Sequence, residues 1–504
     1  MILILLYNQY QMMLFPNYLT FSDGAKFALI ARNITIGNGF TTNFSFWGTS
    51  LFSTDGIPAL IPYLLSLFMK IFNVNNFAVI AFSFTFYMLL IVGTYLLGKK
   101  LFNNLTGLLS ALALITNINY LDYATSGASE TLFAFEIVFA LFFLSFKKLW
   151  VNGFGFLTLG LMYFSKPQAF IFMAGIFLFW LVNKFGFKKG FISFFGFGII
   201  GIIVDKYIIY PLSFRYPLTP VFIRGLQSIL TYSSFSAISD GLRGATNTTL
   251  SMSDVIKKVF YNLYNFYKAL PAIGNPYLWA LFFVGLFVKS KNKMQFTFKV
   301  SSIFMVITTF LVTALTIPFY RYLHPVIPLV YIIAVATLVN IIESLSIKKF
   351  ATIISTFLLL IFTVGQTLGH YILDSRFEAK RINSDKPPVY AALSFKLKEI
   401  TDPDDLILTN LDTWGSWYGE RKTVWFPLTP QMFLDSKHDF DVIYLTSYKI
   451  DDENYYMGKE WREIFENPKA QKILINYELV GEYTFQASEN HEKENARAIL
   501  LRKK

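Results

Sequence analysis

Lysine clusters interrupt a long series of apolar runs after every second run, and this alternation constrains the chain more than any other feature. The runs lie at 77–98, 105–118, 130–146, 150–164, 168–183, 190–205, 275–289, 300–317, 325–343 and 350–371, after an opening run at 2–20. Between them fall Lys99-Lys100, Lys147-Lys148, Lys184 with Lys188-Lys189, Lys289-Lys291-Lys293 and Lys348-Lys349. Lysine-rich short loops stay on the cytoplasmic side of a bilayer. The pattern therefore predicts roughly eleven membrane spans, several shorter than the usual length for a straight crossing. Such short runs are either spans whose boundaries extend further or half-helices shielded by their neighbours. The N-terminus falls in the cytoplasm and the tail from about residue 375 falls outside.

Composition agrees. Charged residues make up 15% of the 504-residue chain, against about 25% in soluble proteins, and mean hydropathy is +0.47. Cysteine is absent, which excludes disulfides and thiol catalysis. The net charge of +12 arises largely from topology-setting lysines, so no nucleic-acid partner is expected. The opening run lacks a basic start and a small-residue cleavage site, so no cleaved leader is expected. The expected fold is a polytopic all-α membrane domain over residues 1–374, followed by a small external α/β domain over 375–504. Within the first part, loops 21–76 and 206–274 are external.

The external pieces have patterns of their own. Residues 24–36 form a short amphipathic helix with Phe27, Ile30, Ala31 and Ile34 on one face, leaving Lys26 and Arg32 to snorkel to lipid head groups. A second helix, interfacial or re-entrant, starts near Pro58 and runs to Phe72. From Ser228 to Ser253 the long loop is rich in Ser, Thr and Gly, so its middle is expected to be mobile. Val255, Val259, Leu263, Phe266 and Leu270 then mark a surface helix, with Lys257 and Lys258 off the stripe. The tail alternates strand-like runs at 406–409, 440–445, 479–485 and 496–501 with helical patterns at 389–400 and 459–466. It has no glycine-rich phosphate loop, zinc spacing or serine elbow.

Asp23 sits at the exit of the first apolar run and opens the first external helix. A carboxylate at the bilayer surface is where a membrane enzyme needs a general base. Asp is also a favoured N-cap, and the two roles are compatible. Asp122, Glu130, Lys166, Arg215 and Arg321 fall on the same external side. Glu136 lies deeper in its span and needs a partner or a proton. Trp414, Trp417, Tyr418 and Arg421 could line an acceptor, but packing of the tail on the membrane part is the favoured reading.

The stretch Asp23-x-x-x-Phe27-x-x-x-Ala31-Arg32-Asn33-Ile34-x-x-Gly37 resembles the first external loop of C-type (GT-C) membrane glycosyltransferases. These include the protein O-mannosyltransferases and the lipid A aminoarabinose transferases. The Pro58–Phe72 run resembles the helix that follows in that loop, and Arg321-Tyr322-Leu323-His324-Pro325-Val326-Ile327-Pro328 resembles a late motif before the penultimate span. Two departures stand out: Gly24 replaces a second acid, and Ser53-Thr54-Asp55-Gly56 replaces a lysine approach to the prolines. The resemblance implies a polyprenyl-phosphate sugar donor, an inverting transfer on the external face of the plasma membrane, and a protein, glycan or lipid acceptor. On that reading Asp23 is the base. Asp122 and Glu130 contact the acceptor or a metal, while Arg321, Lys166 and Arg215 hold the donor phosphate. No cofactor is implied and no dedicated metal site is expected. Two rivals are a lipid-linked sugar flippase and a polysaccharide polymerase or ligase. Transporters show internal repeats and buried midplane charges, and no repeat is evident here. A polymerase or ligase would not require the Asp23 helix.

Overall fold

The computed structural model describes residues 18–54, 57–204, 207, 225, 227–231, 240–244, 249–344, 350–373, 387–448, 457–489 and 492–504. Helices dominate the membrane part. In chain order they are α1 (Ser22–Thr35), α2 (Leu60–Phe72), α3 (Asn76–Leu101), α4 (Asn104–Ile115), α5 (Ile118–Ser126), α6 (Glu130–Leu144), α7 (Leu149–Tyr163), α8 (Ala169–Phe185) and α9 (Phe187–Val204). Then come α10 (Met252–Lys268), α11 (Leu270–Ile273), α12 (Pro276–Phe287), α13 (Lys293–Leu315), a 3-10 turn over Tyr320–Val326, α14 (Ile327–Ser344) and α15 (Ala351–Leu373). Asparagine starts many of them: side chains of Asn75, Asn103, Asn117, Asn275 and Asn292 accept first-turn amides of α3, α4, α5, α12 and α13.

The expectation of roughly eleven spans is met only in part. By length and composition, three helices of the described residues can cross a membrane: Asn76–Leu101, Lys293–Leu315 and Tyr320–Ser344. The pair α5–α6 makes a fourth if counted as one span broken by a 117° bend. Six further apolar helices are shorter. The opening run up to residue 17, Asp55 and Lys348-Lys349 lie outside the described residues. The stretch 119–129, which separates two of the apolar runs, is mostly helix α5, because Asn117 caps its start and Gly127 (φ 83°) turns the chain at its end.

The tail folds as α16 (Val389–Ile400), β2 (Leu406–Thr409), α17 (Trp414–Trp417), β3 (Lys422–Trp425), α18 (Pro430–Leu434), β4 (Val442–Thr446), α19 (Lys459–Glu466), β5 (Tyr477–Glu489) and β6 (Glu492–Lys503). Its sheet has six strands, because β1 (Phe44–Phe46) of the first external loop joins it. The order is β1-β3-β2-β4-β6-β5, with β1, β3, β2 and β4 parallel, and β6 and β5 antiparallel to their neighbours. Phe44 lies opposite Thr423 and Phe46 opposite Trp425. The first loop and the tail therefore share one sheet, a long-range pairing that a division at residue 375 does not anticipate.

Three further expectations are corrected. Lys26 and Arg32 do not reach toward head groups, because β1 of the same loop and the tail meet them on α1. The Lys26 ammonium lies 5.0 Å over the Phe46 ring, and Arg32 donates to the Ser416 carbonyl at 3.2 Å. Lys258 lies on the buried side of α10, where its ammonium donates to the Ser228 carbonyl at 3.3 Å; burial pushes it down to about 8. Most of the Ser/Thr/Gly-rich middle of the long loop lies outside the described residues, but 240–244 is pinned. Arg243 there is fully buried against the Phe426 ring, 4.1 Å from its centroid, and donates to the carbonyls of Phe426, Pro427 and Met457.

Replacing Arg243 with Met keeps bulk but strands those carbonyls. The expected loss is about 3 kcal/mol, the scale of hydrogen bonds from a charged group, seen as a lower unfolding midpoint in detergent. An unchanged midpoint would show the clamp to be incidental.

Candidate active site

Two ion pairs form the centre of the site. The Arg321 guanidinium, in the 3-10 turn before α14, pairs with the Asp23 carboxylate on the first turn of α1. The Lys166 ammonium, between α7 and α8, lies 2.5 Å from Glu130 Oε1 at the start of α6. The four residues come from four separate parts of the chain.

Each position has a local cause. Asp23 does not cap its helix: the N-cap is Phe21, with no capping side chain, and Asp23 occupies the first helical turn. Its carboxylate is thereby turned to Arg321. Gly24 lets α1 sit directly on the α5–α6 bend, where an added Cβ would come within 2.5 Å of the Gly127 carbonyl oxygen. Arg321 is held flat between aromatic neighbours, its guanidinium carbon 4.9 Å from the Phe319 ring centre and 5.6 Å from that of Tyr322. Glu130 occupies the first turn of α6, where the helix dipole favours a negative charge. Lys166 follows Ser165, whose hydroxyl donates to Glu136 Oε1 at 2.6 Å. The buried acid inside the span thus has a partner on the turn that carries Lys166.

The pairs differ in access. The Glu130 and Lys166 side chains are 4% and 11% exposed. Asp23 keeps an open outer face, with its side chain 50% exposed. Dense protein around it still pushes its carboxyl up, but the charge of Arg321, with Lys26 and Lys166 behind it, holds the group below the ordinary carboxylate range. Asp23 is therefore a carboxylate at neutral pH. Its basicity is low while Arg321 is paired to it.

The remaining sequence candidates fall elsewhere. Asp122 is buried on α5. Arg215 lies outside the described residues. His324 bonds through Nδ1 to the Tyr123 hydroxyl, and its carbonyl accepts from Tyr120 at 3.1 Å, so it ties the 3-10 turn to α5. Among the described residues, no group of three or more His, Asp or Glu side chains is arranged to hold a metal ion. The Trp414–Arg421 cluster packs inward: Trp414 stacks on Tyr390 with centroids 4.5 Å apart, and Arg421 donates to the Lys398 and Thr401 carbonyls. Tyr123 and Ser165 were not singled out from sequence, since a hydroxyl in an apolar stretch carries no pattern of its own.

A buried pair with one partner removed leaves a charge without compensation. Lys166→Gln alone is expected to cost about 3–5 kcal/mol of stability. Lys166→Gln combined with Glu130→Gln should cost less than the single change. Chemical unfolding in detergent micelles tests this, and a double variant at least as unstable as the single one would refute the coupling.

Residues 57–209 match the family described as dolichyl-phosphate-mannose-protein mannosyltransferase. The fold is similar to that of ArnT from Cupriavidus metallidurans in the apo state, with a TM-score of 0.57 and 12% identity over 99% of this chain and 96% of that one. The same protein bound to undecaprenyl phosphate gives a TM-score of 0.53, at 12% identity over the same shares. The Archaeoglobus fulgidus oligosaccharyltransferase gives 0.57, at 13% identity over 98% of this chain and 72% of that one. No curated protein matches the sequence. A mannosyltransferase family match within the membrane part is thus joined to a fold shared with these proteins along nearly the whole length of the chain.

Proposed function

We propose that this protein is an integral-membrane glycosyltransferase. On this reading it moves a sugar from a polyprenyl-phosphate donor to a hydroxyl of a protein, glycan or lipid acceptor, at the external face of the plasma membrane and with inversion. The observation that carries the reading is the Asp23–Arg321 pair, a half-open carboxylate matched to a guanidinium beside a second, buried ion pair. Support comes from the family described by its dolichyl-phosphate-mannose donor, and from neighbours of like fold bound to undecaprenyl phosphate and to dolichol phosphate with an inhibitory peptide.

The chemistry follows from the pair. A donor phosphate entering at Arg321 offers two oxygens to the planar guanidinium and competes with Asp23 for it. As Arg321 turns to the phosphate, Asp23 regains basicity. The acceptor oxygen then attacks the anomeric carbon from the side opposite the phosphate while its proton passes to Asp23. The bond from carbon to phosphate oxygen breaks, and polyprenyl phosphate leaves with the electron pair, its charge stabilised by Arg321. Lys166 stands next in line as a cation, held in reserve by Glu130. The reaction draws on no cofactor.

Asp23→Asn removes the base with little change in size. It is expected to lower turnover about 100-fold or more with donor binding retained. Arg321→Lys should keep partial activity and Arg321→Ala almost none, both with weaker donor binding, because lysine keeps the charge and loses the fork. A purified transfer assay with polyprenyl-phosphate sugars measures both. Near-normal turnover of the Asp23 variant would remove it from the role.

The reading also requires the site and tail to face outward, as the lysine clusters predict. The chain has no cysteine, and His438 is exposed on the tail. His438→Cys is expected to react with a membrane-impermeant maleimide in intact cells. Labelling only after permeabilisation would invert the topology.

A further inference from the structure

The first turn of α1 has no capping side chain, yet it carries the carboxylate on which the proposed chemistry turns. Uncapped first turns leave amides without partners and fray easily. Here the turn is held from outside. On the membrane side Gly24 rests against the Gly127 backbone. On the other side lies the short segment Thr413–Tyr418 of the tail. The Thr413 hydroxyl donates to the Ser22 carbonyl at 3.2 Å, on the residue directly before Asp23. The Tyr418 hydroxyl accepts from the Leu19 amide at 2.8 Å, while Tyr390 donates to the Leu19 carbonyl at 2.7 Å. At the far end of the helix, Arg32 donates to the Ser416 and Trp417 carbonyls.

The segment itself is set with care. Thr413 is 1% exposed. It follows Asp412, which adopts a left-handed backbone (φ 57°) that few residues other than glycine accept, and whose Oδ1 takes the Thr413 amide at 2.7 Å. Trp417 also ties the segment to the start of α3 through its indole nitrogen, 2.9 Å from Asn76 Oδ1. Departures from common backbone geometry persist where the surroundings over-determine them, and they gather at functional places. One side of the tail has a core of its own in Ile407, Leu411, Tyr444 and Leu500, while Trp414, Trp417 and Tyr418 on the other share a core with Ala25, Ala28 and Leu29 of α1.

We propose that the tail is a positioning element of the candidate site: Thr413, acting through the Ser22 carbonyl, fixes the height and direction of Asp23 against Arg321. The proposal rests on Asp23 being the base. Thr413 touches no reacting atom in it. A carboxylate displaced by about 1 Å from its working position can cost 100-fold in rate, so one hydrogen bond at the preceding residue carries weight in catalysis beyond its weight in stability.

The test compares Thr413→Val, which keeps shape and loses the donor, with Thr413→Ser, which keeps the donor. In the full-length protein, Thr413→Val is expected to lower kcat about tenfold or more. Affinity for undecaprenyl phosphate and the unfolding midpoint should stay near normal, and Thr413→Ser should restore the rate. A Thr413→Val enzyme of normal kcat overturns the proposal, as does a Ser variant no better than Val. A second measurement does not depend on turnover. In this cysteine-free chain, Asp23→Cys offers one thiol for N-ethylmaleimide. Adding Thr413→Val should raise its modification rate several-fold, and an unchanged rate would overturn the proposal. If the wild-type protein turns over no polyprenyl-phosphate sugar, the functional reading fails while the thiol measurement still decides the positioning.

Discussion

An ion pair between residues 298 positions apart in sequence, Asp23 and Arg321, ties the ends of the membrane part together. Asp23 belongs to the first described helix and Arg321 to the turn that leads into α14, so the pair can form only when the intervening helices are packed. Its cost is the partial desolvation of two charges, offset by their mutual attraction and by the aromatic rings flanking the guanidinium. The half-open side of Asp23 keeps that cost below the cost of full burial and leaves the carboxylate within reach of a ligand. A pair of this kind is a lock on the fold that leaves one carboxylate face open.

The second pair, Glu130–Lys166, is the closed counterpart. It lies where the α5–α6 bend meets the turn between α7 and α8, and a hydroxyl on that turn is anchored to the buried Glu136. Charges inside a membrane protein persist when they are matched, and matched charges hold helices in register. The bend itself depends on Gly127 in the left-handed region and on the absence of a side chain at Gly24. The geometry of four ionised groups thus rests on two residues with no side chain at all.

The tail contributes by contact as well as by its own fold. One strand of its sheet comes from the loop before α2, and Arg243 of the long loop is buried against two of its aromatic residues. Three pieces far apart in sequence meet on one small domain, which turns separate loops into a roof over α1. Trp414 and Tyr418, for which packing of the tail is the favoured reading of the sequence over an acceptor contact, spend their surface on this packing.

By itself, the sequence determined what local chemistry controls. Apolar runs marked helices, and lysine clusters marked where several of them end. The strands and helices of the tail were legible because a period of two or of 3.6 residues is written in neighbouring positions. Asp23, Glu130, Lys166 and Arg321 could be named, because an ionised residue at the edge of an apolar run stands out. Which acid meets which base was decided only by tertiary structure, as were the shared strand β1, the clamp at Arg243 and the hydroxyl of Thr413 behind Ser22. The physical reason is that long-range partners depend on how helices cross and chains close over hundreds of residues, and a threonine or a loop strand of three residues has no periodicity to announce its neighbour. Even the snorkelling of Lys26 and Arg32, sound for a helix at a bare interface, gave way because Phe46 of the same loop and the Ser416 and Trp417 carbonyls of the tail reached them before lipid could.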